Sequence, residues 1–298
     1  MKQLLYRIIY HKTFNRVFRN INKAVSPIFK QIRLPPSGII RIRAGQGKTL
    51  KLKTNQTNYL THLLFWEGYQ NFEYTRIFVR LIKKVNVFYD VGANIGYYSL
   101  LAELENARVK VVGFEPAAGP LHYFRENIKI NNCQNIRVEP LALSHQQGEI
   151  TFYEVKNQKY RYLAHNLTGE GNAGSKTTQR NFVPNLVRTT TLNQYVVDVG
   201  ETEIELIKLD TEGTEHLILS HAAQVLDQMK PIIICETLFN VIEAELEQLL
   251  KTHGYEFYNH TESGLTKVET IVRDVDDGVR NCFFVHSSRY HLIEEFVQ

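Results

Sequence analysis

Two stretches of this 298-residue chain concentrate side chains whose types and spacing could do chemistry. "VFYDVGANIGYYSL", residues 87–100, runs from a strand-like segment through a glycine-spaced turn into an apolar helix-like segment. Asp90 closes the strand, and Gly92 and Gly96 bracket the turn. The helix that follows would aim its unpaired N–H groups and positive dipole end at whatever lies on the strand's carboxyl edge. The spacing G-A-N-I-G is not the G-x-G-x-x-G of a dinucleotide site, where the second glycine admits a pyrophosphate. Asn94 stands where that close approach would be needed, and Asp90 suits a ligand that is small and partly cationic there. Glu115 ends the next strand, where a carboxylate can take both hydroxyls of a ribose. Together these residues fit a ligand built from an amino acid and a nucleoside. The second stretch, "LDTEGTEH" at 209–216, places Asp210, Glu212, Glu215 and His216 side by side, and Glu236 closes a later apolar run.

The elements that would position these groups follow from periodicity. Beyond residue 85, apolar runs at Val87–Val91, Val109–Glu115, Ile136–Leu143, Ile204–Asp210, Ile232–Glu236, Tyr255–Tyr258 and Cys282–His286 predict seven strands. Helical patterns fall between most of them, near 95–104, 119–131, 214–229 and 241–253. Strands alternating with helices predict a doubly wound, mostly parallel sheet covered on both faces. Ahead of it, residues 3–24 read as one amphipathic helix. Ser26-Pro27 looks like the start of a short second helix, ended by Pro35-Pro36. Alternation over 38–53 around "AGQGK" predicts a hairpin with a basic outer face, and 57–84 reads as helical, interrupted at "EGYQNF". The chain thus divides into a basic helical and hairpin extension, 1–84, and a ligand-binding domain, 85–298. Residues 157–188 form a long polar connection with no sustained period.

Composition limits the alternatives. With 43% apolar and 22% charged residues the chain is globular. Its three cysteines, Cys133, Cys235 and Cys282, form no CxxC, which argues against a disulfide framework or a structural zinc site. No apolar run approaches the ~20 residues that span a bilayer, and no cleavable leader is evident, so a cytoplasmic chain is expected. Of the 35 Lys and Arg, thirteen precede Glu67, the first acid, leaving 22 against all 31 acids in the remainder. Residues 1–34 combine eight of these cations with Leu4, Leu5, Ile8, Ile9, Phe14, Phe18 and Phe29. That is the composition of a helix lying on an anionic membrane, or of one docking its stripe on the acidic domain or on a second subunit of a homodimer.

In order, "VFYDVGANIGYYSLLA", "VVGFEPAAGPLHYFRENIKINN", "NIRVEPLALSHQQGEITFYE", "TTTLNQY", "LIKLDTEGTEHLILSHAAQVL" and "PIIICET" resemble the FkbM family of S-adenosylmethionine-dependent methyltransferases, over roughly residues 70–260. Asn193 departs from the pattern, which leads one to expect an acid after "TL". The resemblance implies a class I methyltransferase-like α/β fold and an O-methyltransferase acting on hydroxyls of a sugar, a glycan or a glycan-linked metabolite, of the kind found in polysaccharide biosynthesis. It implies S-adenosylmethionine as cofactor, held by Asp90, Gly92, Asn94, Gly96 and Glu115. Glu73 would lie near its methionyl end, and Ala142 and Ser144 beside its adenine.

Methyl transfer to an alcohol needs alignment and removal of a proton, for which Asp210, Glu212, His216 and Glu236 are the candidates. Carboxylates at a helix N-terminus are also ligands for a divalent ion, but no ligand set at a recognisable spacing appears and no metal is predicted. In the long connection, Tyr160, Arg161, Tyr162, His165, Asn166 and Asn172 could contact a sugar. The partner expected is a hydroxyl-bearing small molecule or glycan, not a nucleic acid. A nicotinamide-dependent sugar oxidoreductase would need a different glycine run and often Tyr-x-x-x-Lys, and none of the sixteen tyrosines has a lysine four positions on. A non-catalytic binding module on the same fold is the other alternative.

Overall fold

The computed structural model describes residues 2–27, 32–155, 157–167 and 182–298. Phe29, with most of the short helix predicted after Ser26-Pro27, and Asn172 lie outside the described residues. The chain opens with two helices rather than one, α1 (Lys2–Ile9) and α2 (Lys12–Val25), divided at His11, whose backbone is extended. Strands β1 (Gly38–Arg43) and β2 (Thr49–Thr54) form the expected hairpin, in register from Gly38 opposite Thr54 to Arg43 opposite Thr49. Ile40, Ile42, Leu50 and Leu52 point inward, and Arg41 and Arg43 outward. Helices α3 (Tyr59–Glu67) and α4 (Thr75–Leu81) follow, separated at "EGYQNF". Asn58 caps α3 by accepting from Thr61 N at 2.8 Å.

The alternating region then begins with β3 (Val87–Val91), α5 (Tyr97–Glu105), β4 (Lys110–Phe114), α6 (Ala118–Asn131) and β5 (Ile136–Glu139). Pro140 follows, and the strand predicted over 136–143 is split there, because proline cannot donate to a ladder. The short β6 (Ala142–Leu143) pairs instead with β8 (Phe182–Thr190), which also pairs with β7 (Gly148–Val155) to make a separate three-stranded sheet. The end of the long polar connection is therefore strand. The chain continues through α7 (Leu192–Val199), β9 (Leu206–Leu209), α8 (Glu215–Ser220), β10 (Ile232–Glu236), α9 (Glu243–Thr252), β11 (Tyr255–Thr261), β12 (Gly264–Val268) and β13 (Asn281–His286). The helix predicted over 214–229 stops at Ser220, and only a π-turn at Val225–Met229 resumes the winding.

The main sheet is α/β and mostly parallel, as predicted, but has eight strands rather than seven, in the order β12-β11-β13-β10-β9-β3-β4-β5. The additional strand, β12, closes one edge with Leu265 as its single buried residue, too short an alternation to stand out in the sequence. Strands β10, β9, β3, β4 and β5 run parallel, and β13 runs against both β10 and β11. The order reverses between β3 and β9, which opens a crevice at their carboxyl ends.

Successive strand residues feed two cores. Phe88, Val111, Ile234 and Phe283 join Leu100 of α5 and Ile40 and Leu52 of the hairpin. Tyr89, Val112, Ile233 and Phe284 join Leu192, Leu219 and Leu246 of α7, α8 and α9. Burial on both faces is why these strands read as unbroken apolar runs. It also gives residues 38–84 and the sheet a common core. The outer edge of β2 is closed by two side chains one turn apart on α6. Asn127 accepts from Lys53 N at 2.6 Å and Asn131 from Lys51 N at 2.9 Å. Trp66 of α3 reaches back toward the start of the hairpin and donates to Leu34 O at 3.2 Å.

Candidate active site

After β3 the backbone turns sharply at Gly92, which has φ +74°. A Cβ there would stand 1.9 Å from the Asp210 carbonyl oxygen, so only glycine lets this turn press against the end of β9. Gly96, at φ +83°, precedes α5, and a Cβ on it would meet the Phe124 ring of α6 at 2.1 Å. Its missing side chain thus serves the packing of two helices.

Beside the turn a cavity of about 340 Å³ opens at the carboxyl ends of β3, β4 and β9. Gly92, Asn94, Glu115, Asp210 and Glu212 line it. Ala142 and Ser144 of the β6 region, Ile150–Val155 of β7, and Asn166 supply other walls. Residues far apart in sequence therefore converge here, with Gly92, Asn94 and Glu115 among them. Glu73, Asp90, Gly96, His216 and Glu236 are not on its wall.

Asp90 is fully buried and turned away from the cavity. Its Oδ2 accepts from Ser99 N at 3.0 Å and Ser99 Oγ at 2.6 Å, tying β3 to the first turn of α5. Its Oδ1 lies 3.5 Å from Lys208 Nζ. Glu115 accepts from Asn94 N and from Ala117 N, each at 2.8 Å and each on its own oxygen. Burial pushes the Glu115 pKa up to about 8, against the pull of those two donors. Asn94 holds a left-handed backbone, φ +52°, and its Oδ1 accepts from Asn58 Nδ2 at 3.2 Å, linking the turn to the N-cap of α3.

Lys208, which the pattern of the sequence did not single out, is the organising cation. Its side chain is only 5% exposed, in the middle of β9, and Nζ lies 3.3 Å from Asp210 Oδ2 and donates to Gly92 O at 3.2 Å. Burial alone would lower its pKa, but the Asp210 and Asp90 carboxylates outweigh that and hold it above the ordinary lysine value. The signal for it was one charge inside the otherwise apolar run "LIKL".

The remaining carboxylates form a cluster next to the cavity. Glu73 accepts from Tyr98 Oη at 2.9 Å, and burial followed by the Asp210 charge pushes its pKa up to about 7. Glu236, at the end of β10, is pushed up to about 8 by burial and then by Asp210, Glu212, Glu215 and Glu73. Glu73 and Glu212 both carry positive φ, +41° and +60°, a backbone region that glutamate rarely adopts and that gathers at functional sites. Glu215 is buried and accepts from Thr211 N at 2.6 Å and Gly213 N at 3.0 Å, so it shapes the loop that carries Glu212. His216 Nδ1 is buried without a hydrogen-bond partner among the described residues.

In the long connection, His165 stacks on His122 at 4.3 Å, while Tyr160 and Tyr162 pack against α1. Arg161 is exposed. Among the described residues, no group of three or more His, Cys, Asp or Glu could hold a metal ion.

A parallel sheet reversing between β3 and β9, with a glycine turn and a strand-end acid around one cavity, is the architecture of S-adenosylmethionine-dependent methyltransferases. This chain belongs to the FkbM family of those enzymes: the Methyltransferase FkbM domain matches residues 90–257, from the end of β3 into β11. The chain is 30% identical to a 31-O-demethyl-FK506 methyltransferase FkbM of Streptomyces tacrolimicus over 195 residues, covering 57% of this chain and 72% of that protein. Among solved structures it is similar to methyltransferase FkbM from Methylobacillus flagellatus KT, with 14% identity and a TM-score of 0.45, covering 78% of this chain and 54% of that one. A precorrin-6y C5,15-methyltransferase from Geobacter metallireducens GS-15 is 11% identical with a TM-score of 0.40, covering 72% and 88% respectively.

Proposed function

We propose that this methyltransferase acts on a hydroxyl oxygen of a sugar, a glycan or a glycan-linked metabolite. The observation that carries the reading is Asp210, which stands on the cavity wall at the end of β9 with its side chain 40% exposed and Lys208 beside it. The S. tacrolimicus relative is named for an acceptor demethylated at its 31-oxygen, which supports oxygen as the atom methylated.

The residues present fit the cofactor. The cavity is within the ~300–1,000 Å³ of small-molecule sites. Phe114 and Leu143 give it apolar walls, and each Glu115 oxygen retains a lone pair beyond its backbone N–H bond for a ribose hydroxyl. Asn94 and Gly92 border the same space. Bound there, S-adenosylmethionine would supply a methyl group on a positively charged sulfur, already activated for displacement. What the chain must add is placement of the acceptor and a destination for its proton.

Asp210 accepts the hydrogen bond of the hydroxyl and orients it, while Lys208 fixes the carboxylate from behind. The proton passes to the cluster at the adjoining strand end. Glu236 in its ionised form is the acceptor there, and its pKa of about 8 makes that form a stronger base than an ordinary carboxylate.

Asp210→Asn preserves shape and removes the charge. Turnover with labelled cofactor and a panel of mono- and oligosaccharides, read by mass spectrometry as gain of a methyl group, should fall roughly 10²–10⁴-fold with cofactor affinity unchanged. Equal losses of rate and affinity would put Asp210 in the cofactor's contacts instead. Undiminished turnover would remove it from the proton path.

A further inference from the structure

We propose that α1 and α2 are a membrane-seating device that lies on an anionic lipid bilayer. The observation is their inverted mounting. A helix on a water-soluble domain normally turns its apolar stripe to the core and its polar side to solvent. Here both helices do the reverse.

Helix α2 is fastened by polar residues. Asn15 and Arg19 are its two buried side chains. Arg19 donates to Ser37 O and Ile39 O, both at 2.7 Å, and Asn15 accepts from Ser37 N at 2.7 Å and donates to Pro35 O at 3.1 Å. These directional bonds set the rotation of the helix about its axis. What they leave outside is its apolar side, with Phe14 50%, Val17 51%, Phe18 41% and Ile21 56% exposed. Helix α1 is mounted alike. Gln3 donates to Lys159 O at 3.0 Å, Tyr6 and Tyr10 meet Tyr160 edge-on at 5.3 and 5.4 Å, and Leu4, Leu5 and Ile8 stand in solvent.

Charge selects the occupant. No acid precedes Glu67. Among the described residues, Lys2, Lys12, Arg16, Arg41 and Arg43 enter no ion pair. A second copy docking through the same face would bring two such cationic surfaces together, which like charge opposes. An anionic bilayer accepts both features at once: aliphatic side chains enter the outer ~5–10 Å of the acyl boundary, and Lys and Arg meet the headgroups. No helix among the described residues is long and apolar enough to cross a membrane, which leaves lying on it.

The seat also touches the site. The segment under α1, 157–163, runs on to Asn166 on the cavity wall, and Asn55 of the extension donates to His165 O at 3.0 Å. Membrane seating does not depend on the identity of the methyl acceptor.

The test uses the full chain and vesicles of phosphatidylcholine with or without phosphatidylglycerol. The protein should co-sediment with anionic vesicles, less so as salt rises, and scarcely with neutral ones. Leu4→Ser/Ile8→Ser/Phe18→Ser/Ile21→Ser, all at exposed positions, should keep its circular dichroism and cofactor affinity while its vesicle partition falls by about tenfold or more. Absence of binding to anionic vesicles, or binding equal in the substituted chain, overturns the proposal. So does a lipid-free dimer in sedimentation velocity that this variant converts to monomer, since the face would then be covered by a second copy.

Discussion

Replacing Lys208 by methionine keeps the length of the side chain and removes the charge on which Asp90 and Asp210 both depend. Asp90 would then be a fully buried carboxylate held by Ser99 alone. Removing one partner of a buried pair typically costs about 3–5 kcal/mol, so Lys208→Met should lower the urea midpoint by that equivalent with an unchanged slope. A midpoint equal to that of the wild type would mean that Lys208 serves the site without supporting the fold. The lysine was visible in the sequence, yet a single charge in "LIKL" does not disturb an apolar strand pattern. Its importance comes from Asp90, which belongs to a neighbouring strand, and strand order is not written in periodicity. The same blindness affects Asp90 itself. A strand-end carboxylate can face a ligand or reach the next helix, and residue type alone does not distinguish Ser99 from a bound molecule.

At the scale of elements, the hairpin is held to the catalytic fold by amide side chains as well as by apolar contact. Asn127 of α6 joins β2 to the glycine turn: it bonds Lys53 N and O of β2 and donates to Ile95 O in the turn at 3.0 Å. Asn127→Ala leaves these buried groups unpaired at ~1–3 kcal/mol. We expect a lower melting temperature together with weaker cofactor binding, measured by thermal unfolding and calorimetry. Melting loss without any change in binding would separate the hairpin from the turn. Elements that cross the core, such as β3 and β10, were legible to the residue because both faces are buried. Strands β7, β8 and β12 were not, because they are half exposed and their mixed residues dilute the alternation. The break between α1 and α2 was hidden by an apolar stripe that continues on both sides of it. That stripe fitted either a helix on an anionic membrane or a docked one, and the buried polar anchors Asn15 and Arg19 leave it facing outward.

Over the whole molecule, three carboxyl groups around the site titrate far above their ordinary value near 4.5: Glu73 at about 7, and Glu115 and Glu236 at about 8. Between those limits the folded chain retains protons that the unfolded chain has released. Stability is therefore greatest at the acid end of this window and declines as pH rises through about 8. Groups held low, such as Asp276 at about 2 beside Arg280, act only below it. Melting temperature should be higher at pH 6 than at pH 8, and Glu236→Gln should flatten the slope; a flat wild-type profile would show that the cluster is ionised in the folded state throughout. The single tryptophan adds something to this picture that was not built for it. Trp66 donates to Leu34 O, packs edge-on to Phe65 at 5.4 Å, and is absent from the cavity wall. The Phe65 carbonyl in turn accepts from Lys23 of α2. Indole fluorescence thus comes from the junction of the extension with the hairpin and not from the catalytic crevice. The protein carries a native optical probe, free of any label, that stands where its first helices meet the hairpin and not on the cavity wall.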